Sequence, residues 1–113
     1  MTVIARILSA EVAIVELQGR FETIVARDFV VWFNDCVANG ITHVIVDLGG
    51  VKLMGSTGLT ALIYALKRLR EQRGDLYLCN VPDTVHQVFQ LTRLQLVFKI
   101  FPDEATARLA CPQ

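Results

Sequence analysis

The chain has 113 residues, 53% of them apolar and 19% charged, with a mean hydropathy of +0.46. That length confines it to one small domain around one core, and the composition excludes both a disordered chain and a multi-domain enzyme. Eleven Lys plus Arg offset eleven Asp plus Glu, so there is no excess of positive charge with which to displace counterions from nucleic acid. The longest apolar runs, such as Phe29 to Phe33 and Ala61 to Leu66, stop far short of the ~18 residues of a membrane span. Met1-Thr2-Val3 also lacks the basic start and apolar stretch of a signal peptide, and a soluble cytoplasmic protein is expected. Cys36, Cys79 and Cys111 are odd in number and widely spaced, which argues against disulfides or a zinc site, and Cys36 and Cys79 are expected to be small buried hydrophobes.

Two β-branched runs, Thr2 to Leu8 and Glu11 to Leu17, are separated by Ser9-Ala10 and predict a hairpin whose second strand ends at Gly19. From Thr23 the apolar positions Ala26, Phe29, Val30, Phe33, Cys36 and Val37 follow helical spacing up to Asn39-Gly40, a helix stop signal. His43 to Leu48 is a short apolar run suited to a strand covered on both faces, and Gly49-Gly50 is expected to break it. A second helix should start at Ser56 or Thr57, bury Leu59, Leu62, Ile63, Leu66 and Leu69, and close at Gly74 with a basic end at Lys67, Arg68, Arg70 and Arg73. Leu76 to Asn80 predicts a strand, and Pro82 opens a third helix with Val85, Val88, Phe89 and Leu91 on its apolar side. Val97 to Phe101 alternates as an edge strand, and Asp103 to Leu109 forms a terminal helix. Strands alternating with helices imply right-handed crossovers. The expected architecture is one α/β domain over residues 1–113, a mostly parallel mixed sheet of five strands with an N-terminal hairpin and four helices.

In such a sheet functional groups gather in loops at the carboxyl ends of strands, which directs attention to Asp47 through Leu59. Ser56 and Thr57 stand at a helix start, where unpaired N–H groups and the positive dipole end favour an oxygen and favour a phosphate more. Two plainer readings apply to the same residues. One is N-capping by Ser56 or Thr57, without a capping box, because Leu59 and Thr60 stand where Glu or Gln would complete it. The other is a phosphate-binding loop running from Gly50 to Gly55 and Ser56-Thr57, but Ser56 occupies the place of the lysine such a nucleotide site requires.

The same segment, Asp47-Leu48-Gly49-Gly50-Val51 followed by Met54-Gly55-Ser56-Thr57-Gly58-Leu59, resembles the signature of STAS domains of the bacterial anti-sigma-factor antagonist type, D-L-S-x-V and then M-D-S-S-G-L. Gly19-x-Phe21, Asn80-Val81-Pro82, Leu91-Thr92-x-Leu94, Val97-Phe98-x-Ile100-Phe101 and Asp103-Glu104-Ala105 extend the resemblance over nearly the whole chain. It implies a partner-switching protein. Unmodified, such a protein binds a serine/threonine kinase that is also an anti-sigma factor; phosphorylation at the helix start releases it, and a phosphatase resets it. The acceptor position falls on Thr57, with Ser56 beside it, and Asp47, Gly55, Ser56, Thr57, Gly58 and Leu59 would form the docking surface. Gly55 stands where the family writes an acid, and Thr57 where it writes a serine. The alternative within the family is an unphosphorylated adaptor in a stressosome-like scaffold or a membrane-transport complex, and a nucleotide-binding domain is a distant third.

The resemblance implies no cofactor and no catalytic residue. His43 and His86 have no carboxylate or thiol at metal-ligand spacing, so no metal is expected, with His43 beginning a strand and His86 on a helix surface. A hydroxyl pair without a base signalled nearby argues against nucleophilic catalysis, an argument that a deep polar pocket beside Ser56 would reverse. Asp47 is expected to cap its own loop. On the first helix, Val31 faces outward and Trp32 lies at the boundary, a candidate patch for a homodimer or partner.

Overall fold

The computed structural model describes residues 3–112; Thr2, expected in the first strand, lies outside them. Strands β1 (Val3–Ile7) and β2 (Val12–Phe21) form the antiparallel hairpin, with Val3 opposite Leu17 and Ile7 opposite Ala13. Ser9 Oγ closes the turn by accepting the backbone N–H groups of Glu11 and Val12. Helix α1 (Thr23–Ala38), strand β3 (His43–Met54), helix α2 (Ser56–Glu71), strand β4 (Asp75–Cys79), helix α3 (Asp83–Thr92), strand β5 (Lys99–Phe101) and helix α4 (Glu104–Ala110) follow. A single 3-10 turn, Leu94–Leu96, occupies part of the connection before the shortened last strand. The strands lie in the order β1-β2-β3-β4-β5, and every pairing after the hairpin is parallel, as the alternation of strands and helices requires.

Alternation along each strand sorts side chains between two layers. Val44, Val46 and Leu48 of β3 join Ala13, Val15 and Leu17 of β2 in the main core, against Phe29 and Phe33 of α1, Leu62 and Leu66 of α2, and Phe89 of α3. Ile45, Ile14 and Tyr77 point the other way, into a smaller cluster closed by Ala107 and Cys111. Three helices therefore cover one face of the sheet and α4 the other. All three thiols are buried and unpaired; burial pushes Cys36 up to about 11 and Cys79 up to about 12, the latter helped by the nearby Asp47 charge.

Two expected strand ends lie elsewhere. Neither Gly19 nor Gly49-Gly50 stops its strand: β2 runs on to Phe21 and β3 to Met54, paired in parallel, with register shifts after Glu16 and after Gly19. At Gly50 the strands come so close that a Cβ would lie 2.9 Å from Gln18 Cγ and 3.1 Å from the Leu17 carbonyl oxygen. The glycine permits that approach instead of ending the ladder. Residues 50–54 are consequently extended strand and form no cradle around a phosphate, which removes the nucleotide-loop reading.

Candidate functional site

The prolonged β2–β3 ladder brings the starts of α1 and α2 together. Gly55, after β3, donates its N–H to the Phe21 carbonyl at the end of β2, 3.1 Å away. Gly58, one turn into α2, is buried against the same residue, and a Cβ there would lie 2.0 Å from the Phe21 carbonyl oxygen. This glycine is a packing residue, not a surface one. Leu59 is likewise half-buried against the main core, so of the expected docking residues in this segment Ser56 and Thr57 are the exposed ones, with Gly55 half-buried before them.

Neither hydroxyl caps its own helix. Gly55 occupies the N-cap position of α2, in extended conformation at φ −84° and with no side-chain cap, and Ser56 and Thr57 already belong to the helix. Thr57 Oγ1 instead accepts the backbone N–H of Thr23, 2.8 Å away, the first residue of α1. One helix thus supplies the acceptor that its neighbour lacks, since Glu22 at the N-cap of α1 makes no side-chain cap either. Thr23 holds a φ of +40°, unusual for a β-branched residue, so the hydroxyl of Thr57 is fastened to a strained junction.

Gly55 is explained by space. Its φ of −84° suits any residue, but a Cβ there would lie 2.6 Å from both Glu22 Cβ and Glu22 Oε2. The carboxylate beside the hydroxyl pair comes from Glu22, across the ladder, with Oε1 held by Arg20 Nε at 3.0 Å. Sequence reasoning noticed the missing acid at position 55 and missed Glu22, because only the β2–β3 pairing brings the two together.

Beyond Thr57 the two helices leave a groove of about 330 Å³ between them. Each presents one stripe: Thr23, Ala26, Arg27 and Val30 from α1, Thr57, Thr60, Ala61 and Tyr64 from α2. At the far end the Tyr64 hydroxyl donates to Asn34 Oδ1 at 2.6 Å and accepts from Arg68 Nη1 at 3.0 Å. The lining contains neither an imidazole nor a carboxylate, so no general base faces Thr57 from it.

Asp47 does not belong with this group. It shares the face of Ile45, toward α4, where its carboxylate oxygens lie within 4.8 Å of those of Glu16 and Glu104. There it caps its own loop, as expected, accepting Gly49 N–H at 2.8 Å and Asn80 Nδ2 at 3.1 Å, while Arg6 compensates Glu104 at 2.8 Å. A hollow of about 730 Å³ on that face, between the hairpin turn and α4, contains none of the expected site residues. His43, at the start of β3, shares a 2.8 Å hydrogen bond with the Tyr77 hydroxyl, and His86 is half-buried on α3.

The family model of the STAS domain matches residues 4–107. The Bordetella bronchiseptica protein BtrV, named as an anti-sigma factor antagonist, is 30% identical over 74 residues, 66% of this chain and 64% of its own. The match thus covers less than two thirds of that relative's length. Among solved structures, an anti-sigma factor antagonist from Thermotoga maritima superposes with a TM-score of 0.90 at 21% identity, over 98% of this chain and 95% of the other. The Bacillus cell-fate determinant SpoIIAA, solved in phosphorylated form, gives 0.78 at 16% identity over 96% and 99%. No helix of the described residues is long and apolar enough to cross a membrane.

Proposed function

Because this chain belongs to the STAS domain family, we propose that it is an anti-sigma-factor antagonist that binds a serine/threonine kinase anti-sigma factor while Thr57 is unmodified and releases it once Thr57, or Ser56 beside it, carries a phosphate. A phosphatase returns it to the binding form, and no catalysis by the chain itself is required. The observation that carries this reading is the placement of two exposed hydroxyls on the first turn of α2, at the head of an apolar groove. A partner seated over that turn would bury the Thr57 hydroxyl. A phosphate there adds a charge of about −1.5 to −2 at neutral pH, which opposes burial by desolvation and by repulsion from any acidic group opposite. Outward-facing Val31, 65% exposed, with half-buried Trp32 behind it, is the proposed contact between two copies.

The test is intact-mass and peptide mass spectrometry of the protein purified from its own host, with Thr57→Ala and Ser56→Ala beside the wild type. One added phosphate, absent only from Thr57→Ala, supports the switch at Thr57; loss only from Ser56→Ala moves it one residue. No phosphate under any growth condition replaces the switch with a constitutive adaptor that holds one partner on the same surface.

A further inference from the structure

Arg27 lies one helical turn beyond Thr23, on the same stripe of α1, and lines the groove that Thr57 heads. It is the one charged residue among the eight that line this groove, and none of the ion pairs of the described residues uses it. Among the described residues its guanidinium therefore has no counter-ion, in a groove also lined by Ala26, Val30 and Ala61. Thr57 Oγ1, 2.8 Å from Thr23 N, fixes where a phosphate on that oxygen would start. The Arg27 side chain is exposed and lines the same groove as Thr57, and its long flexible stem can carry the guanidinium along it.

We propose that Arg27 is the internal receptor of a phosphate on Thr57, folding over it as a charge-assisted pair and drawing it across the head of the α1–α2 groove. The inference rests on the switch proposed above and says where the phosphate goes. A guanidinium suits this task because its planar fork donates two parallel N–H groups to phosphate oxygens. The Glu22 carboxylate faces Gly55 with one oxygen held by Arg20, so it is partly neutralised before the phosphate arrives. Modification on this account does two things: it places charge on the docking surface, and it covers the apolar groove with the protein's own arginine. An unmodified Thr57 leaves the groove open to a partner.

The experiment installs phosphothreonine at position 57 of the full chain by genetic code expansion, so that no kinase is needed, and titrates the phosphate by phosphorus NMR. The second ionisation of a phosphate, near pH 6 in isolation, should fall about one pH unit lower with Arg27 present than in Arg27→Gln, with Arg27→Lys between them. Thermal unfolding should separate Arg27→Gln from the parent only when the phosphate is present. Superimposable titrations of parent and Arg27→Gln overturn the proposal. Since Arg27 is exposed and unpaired, the variant folds, and matching near-UV spectra verify this. A host protein that never carries phosphate would defeat the switch, whereas the titration decides the Arg27 contact independently.

Discussion

Thr57 has a structural duty besides the proposed regulatory one, because its hydroxyl satisfies the first N–H of α1. Thr57→Val should lower stability by about 1 kcal/mol, the usual loss when a helix N-terminus loses its side-chain acceptor, while Thr57→Ser should stay near the wild type, both read by urea unfolding. Any alanine control at this position carries that cost, so the serine variant is the better reference for binding. Gly55 makes a second prediction. Its backbone tolerates any residue, but Glu22 fills the space, so Gly55→Ala should cost about 1–3 kcal/mol from overpacking. Since Glu22 Cβ itself is in the way, Glu22→Gly is the variant that should relieve the cost, and a double-mutant cycle would show coupling between the two positions. Additive effects would mean that the glycine is there for another reason. Neither interaction was legible from local sequence, because each joins residues 33 or 34 apart through the pairing of β2 with β3.

At the scale of elements, periodicity identified all five strands and four helices because each has a distinct apolar spacing. The ends of β2 and β3 were hidden because glycine ordinarily marks a turn, yet here it serves close approach and bulges within a continuous parallel ladder. The basic end of α2 does more than answer the helix dipole, because Arg70 reaches across to the next strand. Its Nε lies 3.4 Å from Asp75 Oδ1, Lys99 Nζ of β5 lies 2.9 Å from Oδ2, and Leu76 N–H donates to the same carboxylate. Burial alone would raise the Asp75 pKa, but the Lys99 and Leu76 hydrogen bonds and the charges of Lys99 and Arg70 outweigh it and hold the carboxyl below its ordinary 3.8. The unfolded chain therefore takes up a proton first as pH falls. This contribution to stability is complete above pH 3.8 and is lost as pH drops through the folded value. Lys99→Met leaves a carboxylate with only 12% of its side chain exposed facing one partial partner. With Lys99 itself half-exposed, a loss of about 1–2 kcal/mol at neutral pH is expected, together with an acid-unfolding midpoint moved to higher pH. Unchanged acid unfolding would show that Arg70 alone suffices.

For the whole molecule, the two faces of the sheet separate what the signature motif ran together. Asp47 and Thr57 are ten residues apart in one motif, but strand alternation turns Asp47 toward α4 while the following helix starts on the opposite side. Linear proximity gave no warning, since the side facing each layer is fixed only when the register of β3 is known. The same division leaves the outer surface of α1 free of any other element. Ile24 and Val31, 67% and 65% exposed, stand two helical turns apart on it, whereas Trp32 packs its ring 6.1 Å from Phe29 and belongs partly to the core. Scattered exposed apolar residues are ordinary on a monomer, so two of them in register do not by themselves make an interface. If two copies meet there, Val31→Lys places a charge at the centre of the contact and should convert a concentration-dependent dimer to monomer in sedimentation equilibrium, with no change in unfolding midpoint at low concentration. Trp32→Ala would be a poor substitute for that test, because removing an indole packed against Phe29 destabilises the fold whether or not a second copy binds. Identical sedimentation of wild type and Val31→Lys at every concentration would rule out this face as the contact between two copies.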